Sequence, residues 1–202
     1  MIATRDSLRA RLRAFPPGSA THDLAGANLN GARPAAVLVP IILGPAPGVL
    51  LTRRAAHLSS HAGQVSFAGG RIDPTDASPE AAALREAAEE IALDPALVEV
   101  VGRLADHHTV SGYQVTPVVG LLPDGRDLAA LQLQPSPLEV DSVLELPMAV
   151  LLDPDAPQRR RGVRNGEELA FWVWPHPQHF IWGATAAILV DLARRLRGEE
   201  RS

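Results

Sequence analysis

Cysteine and lysine are both absent from this sequence, and each absence limits the chemistry that it can carry. Without cysteine, the chain has no disulfide and no thiolate ligand for a metal ion. All 19 basic residues are arginine, so a side chain that holds a phosphate by charge does so through a guanidinium, which can bind two oxygens at once. The lack of cysteine fits a reducing compartment, and we expect a cytoplasmic location.

Long apolar runs are also missing. The most apolar stretches, Val37 to Leu43 and Leu144 to Leu152, are too short to span a bilayer. The arginine-rich N-terminus has no apolar segment of the kind found in a signal peptide. A net charge of −4 argues against a long nucleic acid as a partner, because proteins bind nucleic acid through basic surfaces. We therefore expect a soluble protein that acts on a small molecule, and the sequence leaves open whether it forms a homodimer.

The composition is that of a folded protein, with 46% hydrophobic and 21% charged residues among 202. We expect one domain over residues 1–202, with a helix and loop over 1–34 followed by a core over 35–196. The order of strand and helix patterns indicates an α+β fold with a mixed sheet. Helices are predicted over Asp6–Phe15 and Gly183–Leu196, strands over Ala35–Leu43, Gly48–Arg53, Val98–Leu104, Val115–Leu122 and Leu169–Trp174, and a strand entering a helical turn over Glu139–Leu152.

A further helix is predicted from Pro79 to about Ala92. Ser78 is a good N-cap, and proline is well tolerated at the first helical position. The segment that follows is rich in alanine, the strongest helix former. Asp94, which precedes a proline, is expected to end the helix.

Three glutamates share one arc of this helix, opposite the face of Leu84. At about 100° per residue, Glu86, Glu89 and Glu90 fall together. Like charges at these spacings repel, and taken alone such a cluster is more often a solvated acidic face than a metal site. A Gly69-Gly70 loop precedes it, however, and carboxylates with a backbone carbonyl supply the hard oxygen ligands that Mg²⁺ prefers. Such a site suits metal-assisted hydrolysis of a diphosphate.

The same residues resemble the Nudix box. Gly70 matches its leading glycine, and Arg85-Glu86-Ala87-Ala88-Glu89-Glu90 matches its central R-E-U-x-E-E, where U is apolar. The interval before Arg85 is one residue longer than in the pattern. Ala77 stands where the pattern has glutamate, which Asp76 is able to replace, and Ala92 stands where it has a late glycine.

This resemblance implies the Nudix α/β/α sandwich, with a mixed sheet between helices. It also implies that Mg²⁺ or Mn²⁺ is held by the Gly70 carbonyl with Glu86, Glu89 and Glu90. Arg85 would orient the glutamate face. The general base stays open among Glu89, Glu139 and His107.

A second motif lies just upstream. The residues Leu50 to Ala55, then Gly63, then Phe67 to Gly70, resemble the signature of Nudix enzymes that hydrolyse coenzyme A. Ser59 and Ala68 depart from it, at an arginine and a proline position. Later segments, Gly112–Gly120 and Ile181–Ala186, are similar to the same subfamily. The resemblance implies a coenzyme A diphosphatase with products 3′,5′-ADP and 4′-phosphopantetheine, and substrate-binding roles for Arg54, Phe67 and Arg71.

Two alternatives to that function stay open. One is a Nudix pyrophosphatase acting on another nucleoside diphosphate derivative, such as ADP-ribose, and the other is a non-catalytic module that senses a nucleotide. Elsewhere, the run Arg159 to Arg161 is interpreted as a solvated hairpin tip, with contact to an anionic substrate as the alternative. The aromatic residues of the last strand are expected to pack, with Trp172 on the opposite face from Phe171 and Trp174, and stacking of one of them on adenine is the alternative.

Overall fold

A computed structural model describes residues 4–14, 21–22, 31–164 and 167–199 of the chain. The helices are α1 (Arg5–Ala14), α2 (Pro79–Ile91), α3 (Met148–Leu151) and α4 (Gly183–Arg197). The strands are β1 (Thr21–His22), β2 (Arg33–Leu43), β3 (Gly48–Arg54), β4 (Val65–Ser66), β5 (Gly69–Arg71), β6 (Glu99–Arg103), β7 (His107–His108), β8 (Tyr113–Asp124), β9 (Val140–Pro147), β10 (Gln158–Arg164), β11 (Glu167–Trp174) and β12 (Ile181–Trp182).

Nine of these strands form one mixed sheet, in the order β1-β7-β8-β2-β3-β4 along its main path. The long central strands β2 and β8 run parallel, and β3 runs antiparallel to β2. Three further strands extend the sheet, because β5 pairs with β2, β6 with β8 and β9 with β3. The central strands are apolar on both faces, as is typical of a sheet covered on both sides.

Helices cover the two faces of this sheet and enclose two separate cores. Along β2, Val39 and Ile41 point into a larger core with α1 and α4, while Leu38 and Ile42 point into a smaller core with α2. This alternation follows from the two-residue period of a strand. The predicted α/β/α sandwich with a mixed sheet is thus confirmed.

A separate three-stranded antiparallel sheet has the order β10-β11-β12. Trp174 is fully buried in the larger core, and Trp172 packs against that core as well. The expectation that these two side chains lie on opposite faces is wrong, because residues two apart in a strand share a face. Arg159 to Arg161 lie within β10 rather than at a hairpin tip, and residues 165 and 166, between β10 and β11, lie outside the described residues.

Most predicted elements lie where the sequence analysis expects them, to within a few residues, although most of the loop expected within residues 1–34 falls outside the described ranges. The residue that ends α2 is not the one expected, because the helix ends at Ala92 rather than at Asp94. Ala92 adopts a left-handed conformation, with φ 54° and ψ 32°, and its N–H still donates back to the helix. Asp94 instead caps the short 3-10 helix Pro95–Leu97, where its side chain accepts from the Ala96 N–H. In the described part of the chain, no helix combines the length and apolarity needed to cross a bilayer.

Candidate active site

Helix α2 presents its alanines to the sheet and most of its charge outward. The Ser78 hydroxyl accepts a hydrogen bond from the Ala81 N–H at 3.2 Å, which fixes the start of the helix as predicted. The small side chains of Ala83 and Ala87 are buried against the sheet. Glu90 is buried too, with only 3% of its surface exposed, which the simple outward arc of glutamates did not predict.

The two glycines of β5 permit close approach on both sides. A Cβ added at Gly70 would lie 2.5 Å from Oε1 of Glu86, and one added at Gly69 would collide with the backbone of β2. Gly69 also has φ 155°, which an L side chain rarely adopts. The Gly69-Gly70 pair therefore lets the Glu86 carboxylate lie directly against the backbone of the sheet.

Arg85 gathers the carboxylates on the outer side of α2. Its guanidinium donates to both oxygens of Asp76, at 3.1 and 3.0 Å. It also donates to Glu86 at 3.0 Å and to Glu89 at 3.1 Å. The hydrogen bonds that Arg85 donates to Asp76, followed by the one to Glu86, raise the pKa of Arg85, and the contact with Asp76 lowers the pKa of Asp76. Asp76 thus makes the carboxylate contact to Arg85, although Ala77 occupies the aligned position.

Burial and neighbouring charge both act on Glu90. Burial raises the pKa of Glu90 to about 8; nearby Arg54 opposes this, and the charges of Glu139 and Glu86 add to it. A hydrogen bond from the Gly69 backbone also favours the charged form. Burial likewise raises the pKa of Glu86, with Glu89 and Glu139 contributing in the same direction. Carboxylates that disfavour each other's ionisation mark a place where added positive charge would be stabilised.

Arg54 lies at the end of β3, beside this cluster. Its Nε is buried and has no hydrogen-bond partner among the described residues. The preceding residue, Arg53, forms an ion pair with Asp141 at 3.5 Å instead. Adjacent strand residues point to opposite faces, so Arg54 rather than Arg53 is directed to the glutamates.

Glu139 reaches the cluster from a separate segment. The turn before it is fastened to the end of α2, where the Ser136 N–H donates to the Glu90 carbonyl at 2.7 Å. The Glu139 carbonyl accepts from the Ala55 N–H at 2.9 Å, next to Arg54. Its side chain is exposed. The sequence placed Glu139 before a strand but gave no distance to α2.

Two residues singled out from the sequence lie elsewhere. Phe67, expected to bind substrate, is 4% exposed and packs in the larger core; we correct that expectation, because a side chain enclosed by the core is not available to a ligand. His107 is 1% exposed and pairs in register with Val115, which faces the same core. It therefore lies on the face of the sheet away from α2. Arg71 is exposed on β5, and its carbonyl accepts from Arg85 at 3.2 Å.

The donor set fits a hard divalent cation, although the side chains are not arranged around one. Within the described ranges, no three histidine, aspartate or glutamate side chains already converge as a metal site. Glu86 and Glu89 are held by Arg85, and they would have to turn from it toward a cation. The carboxylates that lie together and the close approach of Glu86 to the Gly70 backbone are the features that suit Mg²⁺ or Mn²⁺.

A model of the NUDIX domain matches residues 32–178. A protein of Escherichia coli (strain K12 / DH10B), described as the uncharacterized Nudix hydrolase NudL, is 47% identical over 164 residues, which are 81% of this chain and 83% of that protein. Among solved structures, the NUDIX domain of Shewanella oneidensis NrtR, complexed with ADP ribose, covers 58% of this chain and 74% of its own, with 23% identity and a TM-score of 0.44. RenU, a Nudix hydrolase from M. Smegmatis, covers 58% and 71%, with 24% identity and a TM-score of 0.43. Neither structural likeness is close enough to support an argument about substrate.

Proposed function

The chain belongs to the Nudix family of hydrolases, and from that premise we propose that it hydrolyses the diphosphate of coenzyme A or its derivatives. Water adds to one phosphorus, the bridging P–O bond breaks, and the products are 3′,5′-ADP and 4′-phosphopantetheine. We propose a cytoplasmic location and a single domain for this activity.

The observation that carries the substrate proposal is the position of Arg54. It belongs to the Leu50–Gly70 stretch that resembles the coenzyme A signature, and its side chain lies beside the buried Glu90, with no partner for its Nε in the described part of the chain. A guanidinium in that setting can bind a phosphate through two N–H groups. The diphosphate of the substrate is the group that would fill this position.

The residues that would hold the divalent cation are Glu86, Glu89, Glu90 and the Gly70 carbonyl. Nudix hydrolases generally use Mg²⁺ or Mn²⁺, and such an ion neutralises substrate charge and makes bound water more acidic. Arg85 would hold the glutamates in place while they are unliganded. We propose Glu139 or Glu89 as the group that takes a proton from the attacking water, since both carboxylates are exposed at the cluster.

A substrate panel tests this proposal. Coenzyme A, acetyl-coenzyme A, ADP-ribose and a dinucleotide polyphosphate would each be incubated with Mg²⁺ or Mn²⁺, and the products separated by anion exchange. We expect coenzyme A to be cleaved with the 3′-phosphate on the adenosine product, and a chelator to abolish turnover. A far higher kcat/KM for ADP-ribose would remove the substrate assignment and leave the hydrolase class. No turnover of any substrate would favour a nucleotide-sensing module instead.

A further inference from the structure

The three-stranded sheet turns one face away from the larger core, and aromatic side chains collect on it. Phe171 and Trp182 meet edge to face with ring centroids 5.8 Å apart, and Phe180 lies 6.1 Å from Trp182. Phe180 is 53% exposed and Trp182 is 38% exposed. We call Phe171, Phe180 and Trp182 the aromatic face. The whole chain has only three Trp, one Tyr and four Phe, so three of its eight aromatic rings stand together at the surface.

Covering the sheet accounts for part of this arrangement. Val173 pairs in register with Trp182 and is buried, yet it belongs to neither core. Phe171 and Trp182 flank it on the same side of the sheet and shield it from water. That role does not account for Phe180, whose ring is more than half exposed, or for the part of Trp182 that faces solvent. Large exposed aromatic groups in a cluster are typical of binding surfaces.

A cation without an acidic partner accompanies the rings. Arg160 pairs in register with Phe171 and therefore lies on the same side of the sheet. It is exposed and donates only to the Gln158 side chain, at 3.2 Å. No ion pair to Arg159, Arg160 or Arg161 is formed by the part of the chain that the structure describes. In a chain of net charge −4, this local positive charge is complementary to an anion.

A glycine keeps the Phe171 ring open to approach. Gly162 is the next residue of β10 on this side, and a Cβ added there would lie 3.3 Å from Cε1 of Phe171. A longer side chain at that position would extend over the ring. The surface thus offers exposed aromatic rings beside a guanidinium that has no acidic partner among the described residues.

We propose that the aromatic face and Arg160 form a second nucleotide-binding site, separate from the glutamates of α2 and independent of the proposed function. A nucleobase stacks on Trp182 and Phe180, as bases do on exposed aromatic residues, and Arg160 binds the phosphate. The ligand class is a mononucleotide, because an extended nucleic acid would require a longer basic track than one strand provides.

The test is calorimetric titration with 3′,5′-ADP in the presence of a chelator, which keeps the glutamate site without metal. We expect the wild type and Glu86→Gln to bind alike, and Trp182→Ala and Arg160→Ala to bind at least about tenfold more weakly. Arg159→Ala is the matched control. Arg159 has the same charge in the same strand, but it lies over Trp172 on the other side, 5.0 Å from that ring, so its loss should change the affinity less than about twofold.

Three further measurements make the outcome unambiguous. Trp182→Leu retains an apolar cover over Val173 without the stacking surface, so it should lose affinity while keeping its melting temperature. Ribose 5-phosphate should bind much more weakly than 3′,5′-ADP, because it has no base. Sedimentation of the wild type and Trp182→Ala shows whether the face joins two copies of the chain.

The proposal is overturned if Glu86→Gln abolishes binding while Trp182→Ala does not, since the nucleotide then occupies the glutamate site. No binding of 3′,5′-ADP at millimolar concentration overturns it as well. A dimer that dissociates in Trp182→Ala, with no effect of nucleotide, would assign the face to contact between copies. Much tighter binding of a single-stranded oligoadenylate than of the mononucleotide would overturn the commitment to a free nucleotide.

Discussion

Arg53 and Arg54 are adjacent in sequence and carry the same charge, but they have different surroundings. Arg53 pairs with Asp141, whereas Arg54 lies beside Glu90, and none of the residues that the structure describes accepts from its Nε. A side chain that binds substrate phosphate in both ground and transition states affects KM more than kcat. The pair therefore provides a variant and its control within one strand.

We expect Arg54→Ala to raise KM for coenzyme A by about tenfold or more with a smaller fall in kcat, as the loss of a charge-assisted contact predicts. Arg53→Ala should leave both constants within about twofold, because its partner is a surface aspartate. Steady-state kinetics with both variants measures the difference. Equal effects of the two substitutions would show that Arg54 has no special contact with the substrate.

Glu90 is expected to be essential for turnover but not for folding. Glu90→Gln should lower kcat by at least about 10²-fold, because positioned metal charge is among the largest catalytic contributions. Without metal and above about pH 8, where Glu90 is ionised, the variant should melt higher than the wild type, because it removes a buried charge and its repulsion by Glu139 and Glu86. Added Mg²⁺ should raise the midpoint of the wild type more than that of the variant.

Glu80→Gln is the control for that experiment. Glu80 belongs to the same helix but pairs with Arg103 at 2.5 Å, away from the other glutamates. The Glu80→Gln variant should keep kcat within about twofold of the wild-type value. A Glu90→Gln enzyme with wild-type turnover and an unchanged response to Mg²⁺ would show that the glutamates form a solvated acidic face and not a metal site.

At the scale of elements, the ion pair between Glu80 and Arg103 joins the start of α2 to β6. The hydrogen bond from Arg103 lowers the pKa of Glu80 from 4.5 to about 2. A depressed carboxyl pKa contributes stability above the unfolded pKa and loses it as the pH falls through the folded one. Glu80→Gln should therefore cost about 0.5–1 kcal/mol at pH 7, and the two unfolding curves should converge between pH 4.5 and 2. Urea titrations over that pH range measure the difference in the free energy of unfolding between the wild type and Glu80→Gln. A difference that does not depend on pH would contradict the prediction.

The end of α2 carries a strained residue that a single change should relieve. Ala92 has φ 54°, a left-handed conformation that costs an L residue about 1–2 kcal/mol. Replacing Ala92 by glycine would remove this cost. Part of the stability gained is offset, because glycine loses more backbone entropy on folding. We expect Ala92→Gly to stabilise the protein by about 0.5–1 kcal/mol, seen as a rise of roughly 1–4 °C in melting temperature. A lower midpoint would mean that the alanine methyl group makes contacts worth more than the strain.

Local signals explain why α2 was predictable and why the rest of the site was only partly so. Ser78, Pro79 and the alanines act within one or two turns, so the helix and its glutamate arc follow from the sequence itself. Phe67 shows where this fails. Its neighbours in sequence suggested a ligand contact, but burial is set by residues from other elements that a local pattern does not contain. Glu139 reaches α2 only through the path of an intervening turn, which no spacing along the chain encodes.

At the scale of the whole molecule, a buried ion pair attaches α4 to the end of β6. Asp191 accepts from Arg195 at 3.4 Å and from the Ala105 N–H at 3.2 Å, while Arg195 donates to the Arg103 carbonyl. Both side chains are almost fully enclosed. Removing one partner of a buried pair leaves the other charge without adequate compensation.

We expect Asp191→Ala to lower stability by about 3–5 kcal/mol and the melting temperature by roughly 6–20 °C. Asp191→Asn, which can still accept from the Ala105 N–H, should lose less stability than Asp191→Ala. The pair between Arg197 and the exposed Glu199 is the comparison, and Glu199→Ala should change stability by less than about 0.5 kcal/mol. Thermal melts of the three variants check the order, and an Asp191→Ala protein as stable as Glu199→Ala would contradict it.

The parallel pairing of β2 with β8 also determines at which stage of folding the glutamate site can form. Ala35 lies opposite Val115, and α2 and β5 both lie in the stretch of chain between them. Closing so long a loop is a slow step, because its entropy is lost before the strands gain contacts. The sheet against which α2 packs therefore exists only after residues from both ends of that stretch have met. A cation held by the glutamates would then prolong the lifetime of the folded state by slowing unfolding, and it would not hasten folding.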